Sequence, residues 1–273
     1  MSGSASPHLG ALRARIQALE QGGHPRRAMP LGLPAIDAAL PGGGLALGAL
    51  HEIMGAGADE EDGAVPAAFA AALLARLTRH SAGKVLWCLV ADDLYAPGLA
   101  ASGLPPSLLV VARCRDDGDI AWAMEEGLRS PALAAVLGEI GALPPITGRR
   151  LQLACESGGV TAFALRRWRE GGLAARQRAM PSAAATRWRV AAAPSRATGE
   201  SLAGPQVPLG VGVPCWRVEL LRCRGGAPAA WMMTEGLAEA ERMEESDATG
   251  DVAVAAGLAD RPAAPAPQRL RAV

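Results

Sequence analysis

The strongest constraint on the fold is an alternation of short strand-like runs with segments of helical periodicity. The strand-like runs cover residues 48–54, 84–91, 108–112, 133–140 and 160–165, and the helical segments between them cover residues 65–80, 119–129 and 148–157. The run at residues 84–91 is apolar after its first residue, which is typical of a strand buried on both faces of a parallel sheet. The order of these segments predicts an α/β fold with a mainly parallel, twisted sheet flanked by helices.

Towards the C-terminus the pattern changes to antiparallel pairing. A strand-like segment follows residue 183, and residues 216–223 alternate in polarity before a Gly-Gly turn, so that residues 231–234 are expected to close a hairpin. Residues 235–247 hold six acids and one arginine, which predicts at most a solvated acidic helix. The composition of residues 248–273, rich in Ala and Pro, predicts disorder.

The N-terminal segment carries one isolated apolar stripe on a predicted helix that ends at a Gly-Gly pair. The residues of the stripe are Leu9, Leu12, Ile16 and Leu19. Such a helix either packs on its own domain or docks on a partner subunit. The predicted organisation is an N-terminal helix and linker (1–28), a core (29–236), and an acidic, then Ala- and Pro-rich tail (237–273).

Composition narrows the class of protein. The 273 residues are 50% hydrophobic, enough for one large core, and their formal net charge is zero. Lys84 is the sole lysine among 27 basic residues, so the arginine content reflects a general bias and is no evidence of phosphate binding by itself. Five cysteines without a C-x-x-C pair argue against a zinc site. We therefore expect no bound metal ion. Because no secretory signal or long apolar run is present, we expect a cytoplasmic protein.

Residues 31–55 carry the most specific motif in the chain. A short helical segment with a D-x-x-L pattern precedes G-G-G-L-x-x-G and a strand that ends in E-I-x-G. The matching residues are Leu33, Asp37, Leu40, Gly42, Gly43, Gly44, Leu45, Gly48, Glu52, Ile53 and Gly55. In this motif and in the order of later elements, residues 29–236 resemble the RecA-family ATPases, which implies a RecA-like, P-loop-NTPase-type core.

The loop after this strand departs from the RecA-family pattern. A functional phosphate loop reads G-x-x-x-x-G-K-S/T; its backbone N–H groups and lysine hold phosphates, and its hydroxyl holds Mg²⁺. Counting from either glycine that could open the loop places no lysine or hydroxyl at the required positions. The degenerate loop comprises Gly55, Gly57, Asp59, Glu60, Glu61, Asp62 and Gly63. Since its four acids repel a triphosphate, the sequence predicts a degenerate Walker A loop, no nucleotide cofactor and no catalysis.

Two further acids stand where the resemblance places catalytic carboxylates. Asp92 follows the strand at residues 84–91, where RecA-like enzymes carry the acid that activates water, and Glu139 stands near the Walker B position. Without a lysine in the loop they have no phosphate to act upon, and we interpret both as relics that serve as surface or capping acids. The alternative is an atypical ATPase whose lysine comes from elsewhere, such as Lys84.

Among RecA-like proteins that have lost the loop, the chain is most similar to the ImuA family, which combines an N-terminal helix, a degenerate loop and no RecA-type C-terminal lobe. The resemblance implies a non-catalytic accessory protein of SOS-type, damage-induced, error-prone translesion DNA synthesis, cytoplasmic and nucleoid-associated after damage. The implied partners are ImuB (an inactive Y-family polymerase-like protein), an error-prone C-family DNA polymerase, and RecA. SulA-type cell-division inhibitors are a second alternative, but they are shorter, and the long basic segment and full set of strands argue against them.

A basic segment with interleaved tryptophans spans residues 149–196, which hold ten arginines against two acids. Arginine beside aromatic residues suits a surface that tracks a nucleic-acid backbone and stacks on bases. In RecA the loop after the fifth strand contacts single-stranded DNA, and the matching residues here are Arg166, Arg167, Trp168, Arg169, Arg176 and Arg178. We predict a surface for single-stranded DNA or a DNA-bound partner, with an acidic protein partner or an ordinary solvated face as the alternatives.

Overall fold

The computed structural model describes residues 27–57, 63–168, 180–196, 213–234 and 240–242. Within these ranges the helices are α1 (Pro34–Asp37), α2 (Ala64–His80), α3 (Ala96–Ala101), α4 (Asp117–Gly127) and α5 (Pro145–Gly158), with a 3₁₀ turn at Pro106–Leu108. The strands are β1 (Ala28–Met29), β2 (Leu45–Ala46), β3 (Leu50–Gly55), β4 (Lys84–Leu89), β5 (Leu109–Arg113), β6 (Leu133–Glu139), β7 (Thr161–Arg166), β8 (Thr186–Arg196), β9 (Val213–Cys223), β10 (Ala229–Thr234) and β11 (Ala240–Arg242).

The central sheet, as far as the structure describes it, has nine strands in the order β11-β10-β9-β8-β3-β7-β6-β4-β5. The strands from β5 to β8 along this order run parallel to one another. The remaining pairs, β8 with β9, β9 with β10 and β10 with β11, are antiparallel. The predicted α/β class is therefore confirmed, with a mainly parallel sheet flanked by helices and a C-terminal antiparallel hairpin.

Helices cover both faces of the parallel part of the sheet. On one face, α2 packs against a tryptophan-rich cluster, in which the Phe69 and Trp188 ring centroids lie 5.8 Å apart. On the other face, Met124 of α4 and Leu151 of α5 share a core with Val136 of β6. Successive residues of a strand thus point into two different cores, which is why such strands read as unbroken apolar runs.

Two predicted segments differ from the structure. The acidic residues 235–247, expected as a helix at most, contain the strand β11, which pairs with β10 and places Met233 opposite Ala240. An unpaired strand edge offers a row of backbone donors and acceptors, and pairing with it outweighs the local composition. The helix predicted from residue 119 begins two residues earlier, because the Asp116 carboxylate accepts a hydrogen bond from the Asp119 N–H at 2.9 Å and caps α4.

Asp37 and Gly44 of the RecA-like motif have structural roles. The Asp37 carboxylate accepts hydrogen bonds from the backbone N–H groups of Leu31 at 2.7 Å and Leu33 at 3.2 Å, and so brackets the turn before α1. Gly44 passes close to β1, where a Cβ atom would stand 2.3 Å from the carbonyl oxygen of Met29. The motif residues therefore hold the turns that lead into β3, whether or not a nucleotide binds.

Parts of the prediction lie outside the described residues. The apolar stripe of Leu9, Leu12, Ile16 and Leu19 is among them, as are residues 248–273, so the domain division into 1–28, 29–236 and 237–273 stays a prediction. In the described part of the chain no helix is long and apolar enough to cross a membrane. The same part contains no group of three or more histidine, cysteine or acidic side chains able to hold a metal ion. All five cysteines are free thiols.

Candidate functional site

The carboxyl ends of the parallel strands meet at one edge of the sheet, and there β3 leads into the degenerate loop. Ligands of doubly wound proteins bind at this edge. Gly55 closes β3, Gly57 follows it, and Gly63 precedes α2. The four acids of the loop lie outside the described residues: Asp59, Glu60, Glu61 and Asp62. The candidate site is therefore built from the side chains at the neighbouring strand ends.

A buried carboxylate, that of Glu52 in β3, is the centre of one cluster at this edge. It accepts a hydrogen bond from Arg187 Nε at 3.1 Å and another from the Ser182 hydroxyl. The Arg166 Nη1 atom lies 3.5 Å from the same carboxylate, and both of these side chains are only 2% exposed. Because the interior solvates charges poorly, Glu52 is the counter-charge that allows two guanidinium groups to be held here.

Arg166 ends β7 and lies in the interior. Its Nη2 donates to the Gly141 carbonyl at 2.7 Å, and its guanidinium carbon lies 5.4 Å from the centroid of the Trp168 ring. Burial lowers the pKa of Arg166 from its ordinary value, while the Glu52 carboxylate acts in the opposite direction. Arg166 therefore joins β7 to β3 and to the loop between β6 and α5.

Arg166 and Trp168 do not belong to an exposed basic surface, contrary to the prediction. Trp168 is 5% exposed, and its Nε1 donates to the Gly141 carbonyl at 2.9 Å. The prediction was wrong for these two residues because Glu52 gives Arg166 a buried partner and the indole fills space in a chain with few other aromatic residues. Of the other arginines in the predicted contact set, Arg167 is described below, and Arg169, Arg176 and Arg178 lie outside the described residues, so contact of these three with DNA or a partner stays a prediction.

Arg167, the next residue after β7, is the centre of a second cluster. Its Nη1 donates to Glu139 at 2.7 Å, and Nη1 and Nη2 donate to the two carboxylate oxygens of Asp93, each at 2.9 Å. The other oxygen of Glu139 accepts a hydrogen bond from Trp87 Nε1 at 2.7 Å. The guanidinium is 22% exposed, and it bridges the carboxyl ends of β7, β6 and β4.

The two acids interpreted as relics have different surroundings. Asp92 has a 72% exposed side chain and pairs with Arg113 of β5, which agrees with a surface acid. Glu139 is 5% exposed, so its interpretation as a surface or capping acid is wrong. It is buried because Trp87 and Arg167 supply the hydrogen bonds that a buried carboxylate needs. The acid that joins Glu139 in space is Asp93, not Asp92.

Lys84, the lysine considered for an atypical nucleotide site, is on the opposite edge of the sheet. It is the first residue of β4, so it stands at the amino edge of the parallel strands, whereas the loop follows the carboxyl end of β3. Its Nζ donates to the Ser107 carbonyl at 2.6 Å. Lys84 therefore does not supply the missing lysine of the loop.

The residues at the carboxyl edge do not fit the Mg-nucleotide that a RecA-like fold implies. A phosphate loop needs a lysine and a hydroxyl, and the chain has acids in their place. A divalent ion needs free carboxylate oxygens, and those of Glu139 and Asp93 accept hydrogen bonds from Arg167 and Trp87. The edge is thus occupied by internal ion pairs.

Sequence reasoning assigned no site role to three residues of the Glu52 cluster, nor to Trp87 and Asp93 of the Arg167 cluster. Glu52 was noted only as part of a motif, Arg187 was one of the ten arginines of the basic segment, and Ser182 was not singled out. The available signal was an acid inside an apolar strand, because a buried charge requires an opposite charge nearby. Its partners could not be named, since they come from β7 and β8, more than a hundred residues further along the chain.

Comparison with known proteins supports the assignment made from the motif. No protein-family model matches the chain. Two curated relatives match, each called Protein ImuA, from the Caulobacter vibrioides strains NA1000 / CB15N and ATCC 19089 / CIP 103742 / CB 15. Each is 42% identical over 211 residues, which span 77% of this chain and 84% of the relative. The chain therefore belongs to the ImuA family.

Proposed function

We propose that this protein is a non-catalytic accessory factor of DNA-damage-induced mutagenesis. It acts in SOS-type, error-prone translesion synthesis together with ImuB and an error-prone C-family DNA polymerase. Membership of the ImuA family supports the general role. The partners come from the family resemblance, and the carboxyl edge of the sheet supports the absence of catalysis.

The observation that carries the proposal is the replacement of the phosphate loop by acids. The positions of G-K-S/T hold Glu60, Glu61 and Asp62 when counted from Gly55. A triphosphate carries about four negative charges, so losing the lysine and adding acids costs several kcal/mol of binding free energy. In the sequence these acids lie just before α2, so they add negative charge where an intact loop would bring phosphate to the start of a helix.

Calorimetric titration with Mg-ATP tests the absence of nucleotide binding. The full-length protein should show no heat of binding at ATP concentrations below about 1 mM. A RecA-type ATPase with an intact loop, titrated in the same buffer, serves as the positive control. A micromolar dissociation constant for this protein would contradict the proposal and favour an atypical ATPase.

A genetic experiment tests the accessory role. Deleting the gene should lower the frequency of ultraviolet-induced mutations to the level of a strain without ImuB, and deleting both should lower it no further. A variant with Lys84→Ala should restore mutagenesis in full, since Lys84 lies away from the loop. Normal induced mutagenesis in the deletion strain would contradict the proposed function.

The N-terminal stripe is the proposed docking element for a protein partner. An amphipathic helix followed by a Gly-Gly pair can be displaced from a domain without disturbing its core. The double change Leu12→Asp and Ile16→Asp should abolish co-purification with ImuB or RecA and leave the melting temperature of the protein nearly unchanged. A fall of more than about 8 °C would instead show that the helix packs on its own domain.

A further inference from the structure

Three residues from adjacent parallel strands meet at the carboxyl edge. Glu139 is the last residue of β6, Arg167 directly follows β7, and Asp93 lies in the segment that follows β4. The order β7-β6-β4 makes these strand ends neighbours. Their side chains therefore converge because of the sheet topology, although they are up to 74 residues apart in sequence.

The geometry of this cluster is that of a closed ion-pair network. Arg167 approaches Asp93 with two nitrogens, one on each carboxylate oxygen, and its Nη1 also reaches Glu139. Such two-pronged contacts are the strongest form of an arginine–carboxylate pair. Since Trp87 occupies the second oxygen of Glu139, all four carboxylate oxygens of the two acids accept hydrogen bonds from the protein.

Two carboxylates held together at this edge would otherwise attract a divalent cation. Hard cations such as Mg²⁺ prefer carboxylate oxygens, and a half-buried pair of acids needs positive charge. A guanidinium also supplies positive charge, its N–H groups donate in fixed directions, and it does not lose its proton at neutral pH. An arginine and a divalent ion therefore compete for the same place.

We propose that Arg167 is a built-in counter-cation that occupies the place of a divalent metal between Asp93 and Glu139. This inference deepens the proposed non-catalytic function and rests on it. It adds that, besides the acids in the phosphate loop, a second feature opposes Mg-nucleotide: an arginine that neutralises the strand-end acids. The carboxyl edge is then closed to Mg-nucleotide on both sides of β7.

A second ion pair in the same region provides a matched comparison. Arg113 pairs with Asp92, the direct neighbour of Asp93, and the two side chains are 69% and 72% exposed. Water screens this pair, so its arginine is not needed to neutralise the acid. Glu139, at 5% exposure, has no comparable access to water. Removing Arg167 should therefore increase the affinity of the neighbouring acids for a cation, whereas removing Arg113 should not.

Terbium luminescence tests the proposal. Tb³⁺ takes oxygen ligands and emits when a nearby indole is excited, and Trp87 donates directly to Glu139. Arg167→Ala should bind Tb³⁺ about tenfold more tightly, or better, than the wild type, because the guanidinium no longer repels the ion or holds the carboxylate oxygens. Arg113→Ala should bind it no more tightly than the wild type. The triple variant Arg167→Ala, Asp93→Asn, Glu139→Gln should lose the gain.

Two further variants keep the test decisive if Arg167→Ala does not fold. Arg167→Gln retains bulk and a hydrogen-bond donor but not the charge, and should also gain Tb³⁺ binding. Arg167→Lys retains the charge and should not. If a folded, uncharged variant binds Tb³⁺ no better than the wild type, the counter-cation proposal is wrong. Micromolar Mg-ATP binding by the wild type would instead contradict the proposed function, so the two failures are distinguishable.

Discussion

Glu52 and Arg187 are cross-strand partners in the parallel pairing of β3 and β8, and the Arg187 Nε donates to the Glu52 carboxylate at 3.1 Å. On its other side, the same carboxylate lies next to Arg166 of β7. One acid thus joins three neighbouring strands of the sheet, β7, β3 and β8. Both clusters at this edge follow the same principle, in which a charge inside the protein is retained only with opposite charges in contact with it.

The change Glu52→Gln should destabilise the protein strongly. It leaves the shape of the side chain almost unchanged but removes the counter-charge of Arg166 and Arg187, which we expect to cost about 3–5 kcal/mol of unfolding free energy. Urea denaturation followed by circular dichroism measures the loss. The matched change Asp92→Asn, in an exposed pair, should cost less than about 1 kcal/mol. If Glu52→Gln lowers the free energy of unfolding no more than Asp92→Asn does, the buried pair is not required for stability.

The hydrogen bond from Trp87 to Glu139 should contribute measurably to stability. Trp87→Phe retains an aromatic ring in the core but leaves a buried carboxylate oxygen without its indole donor, at a cost of about 1–3 kcal/mol in addition to the loss of packing. The control is Trp122→Phe, because Trp122 is 65% exposed and its loss should be nearly neutral. Thermal unfolding of both variants provides the comparison, and a neutral Trp87→Phe would contradict the assigned hydrogen bond.

Buried thiols should make the protein less stable at alkaline pH. Burial raises the pKa of Cys88 and of Cys155 from 9.0 to about 12 in the folded protein. The unfolded chain therefore releases these protons first, so stability is unaffected below pH 9 and falls as the pH rises from 9 towards about 12. Each thiol should steepen this fall by about 1.4 kcal/mol per pH unit.

The measurement for the thiols is urea denaturation at several pH values above 8, for the wild type and for Cys88→Ala. The variant should show a shallower decline than the wild type, although the lost sulfur will lower its stability at every pH. Comparing slopes removes the effect of other groups that titrate in the same range. Parallel curves would show that Cys88 ionises as easily in the folded protein as in the unfolded chain.

The predicted contact with single-stranded DNA now depends on the basic residues beyond Trp168. Arg169, Arg176 and Arg178 would give a log–log salt slope of about −2 if each contacts one phosphate. Fluorescence anisotropy with a labelled oligonucleotide should show this slope for the wild type, and Arg176→Glu with Arg178→Glu should weaken binding. Arg113→Glu with Arg115→Glu is the control pair, since both residues lie outside the basic segment of residues 149–196. Binding that survives the first pair, or is absent at low salt, contradicts direct contact at this segment.

The sequence alone determined the class of fold and the absence of the G-K-S/T residues after β3. The strand of residues 84–91 and the helix of residues 65–80 could be predicted from local patterns. A strand buried on both faces is a continuous apolar run, and a helix buried on one face has apolar residues at helical spacing. The loop could be judged from residues 55–63, since a phosphate site requires particular residue types at fixed spacing. Neither of these two predictions depends on which strands are neighbours in the sheet.

Only the tertiary structure decided what the charged residues do. The sequence offered no reason to pair Glu52 with Arg166 and Arg187, or to prefer Asp93 over Asp92 as the neighbour of Glu139. These contacts depend on the strand order β4-β6-β7-β3-β8, in which residues far apart in the chain become adjacent. An arginine that looks like a surface charge in the sequence, as Arg166 does, becomes an interior residue when the sheet places a carboxylate beside it.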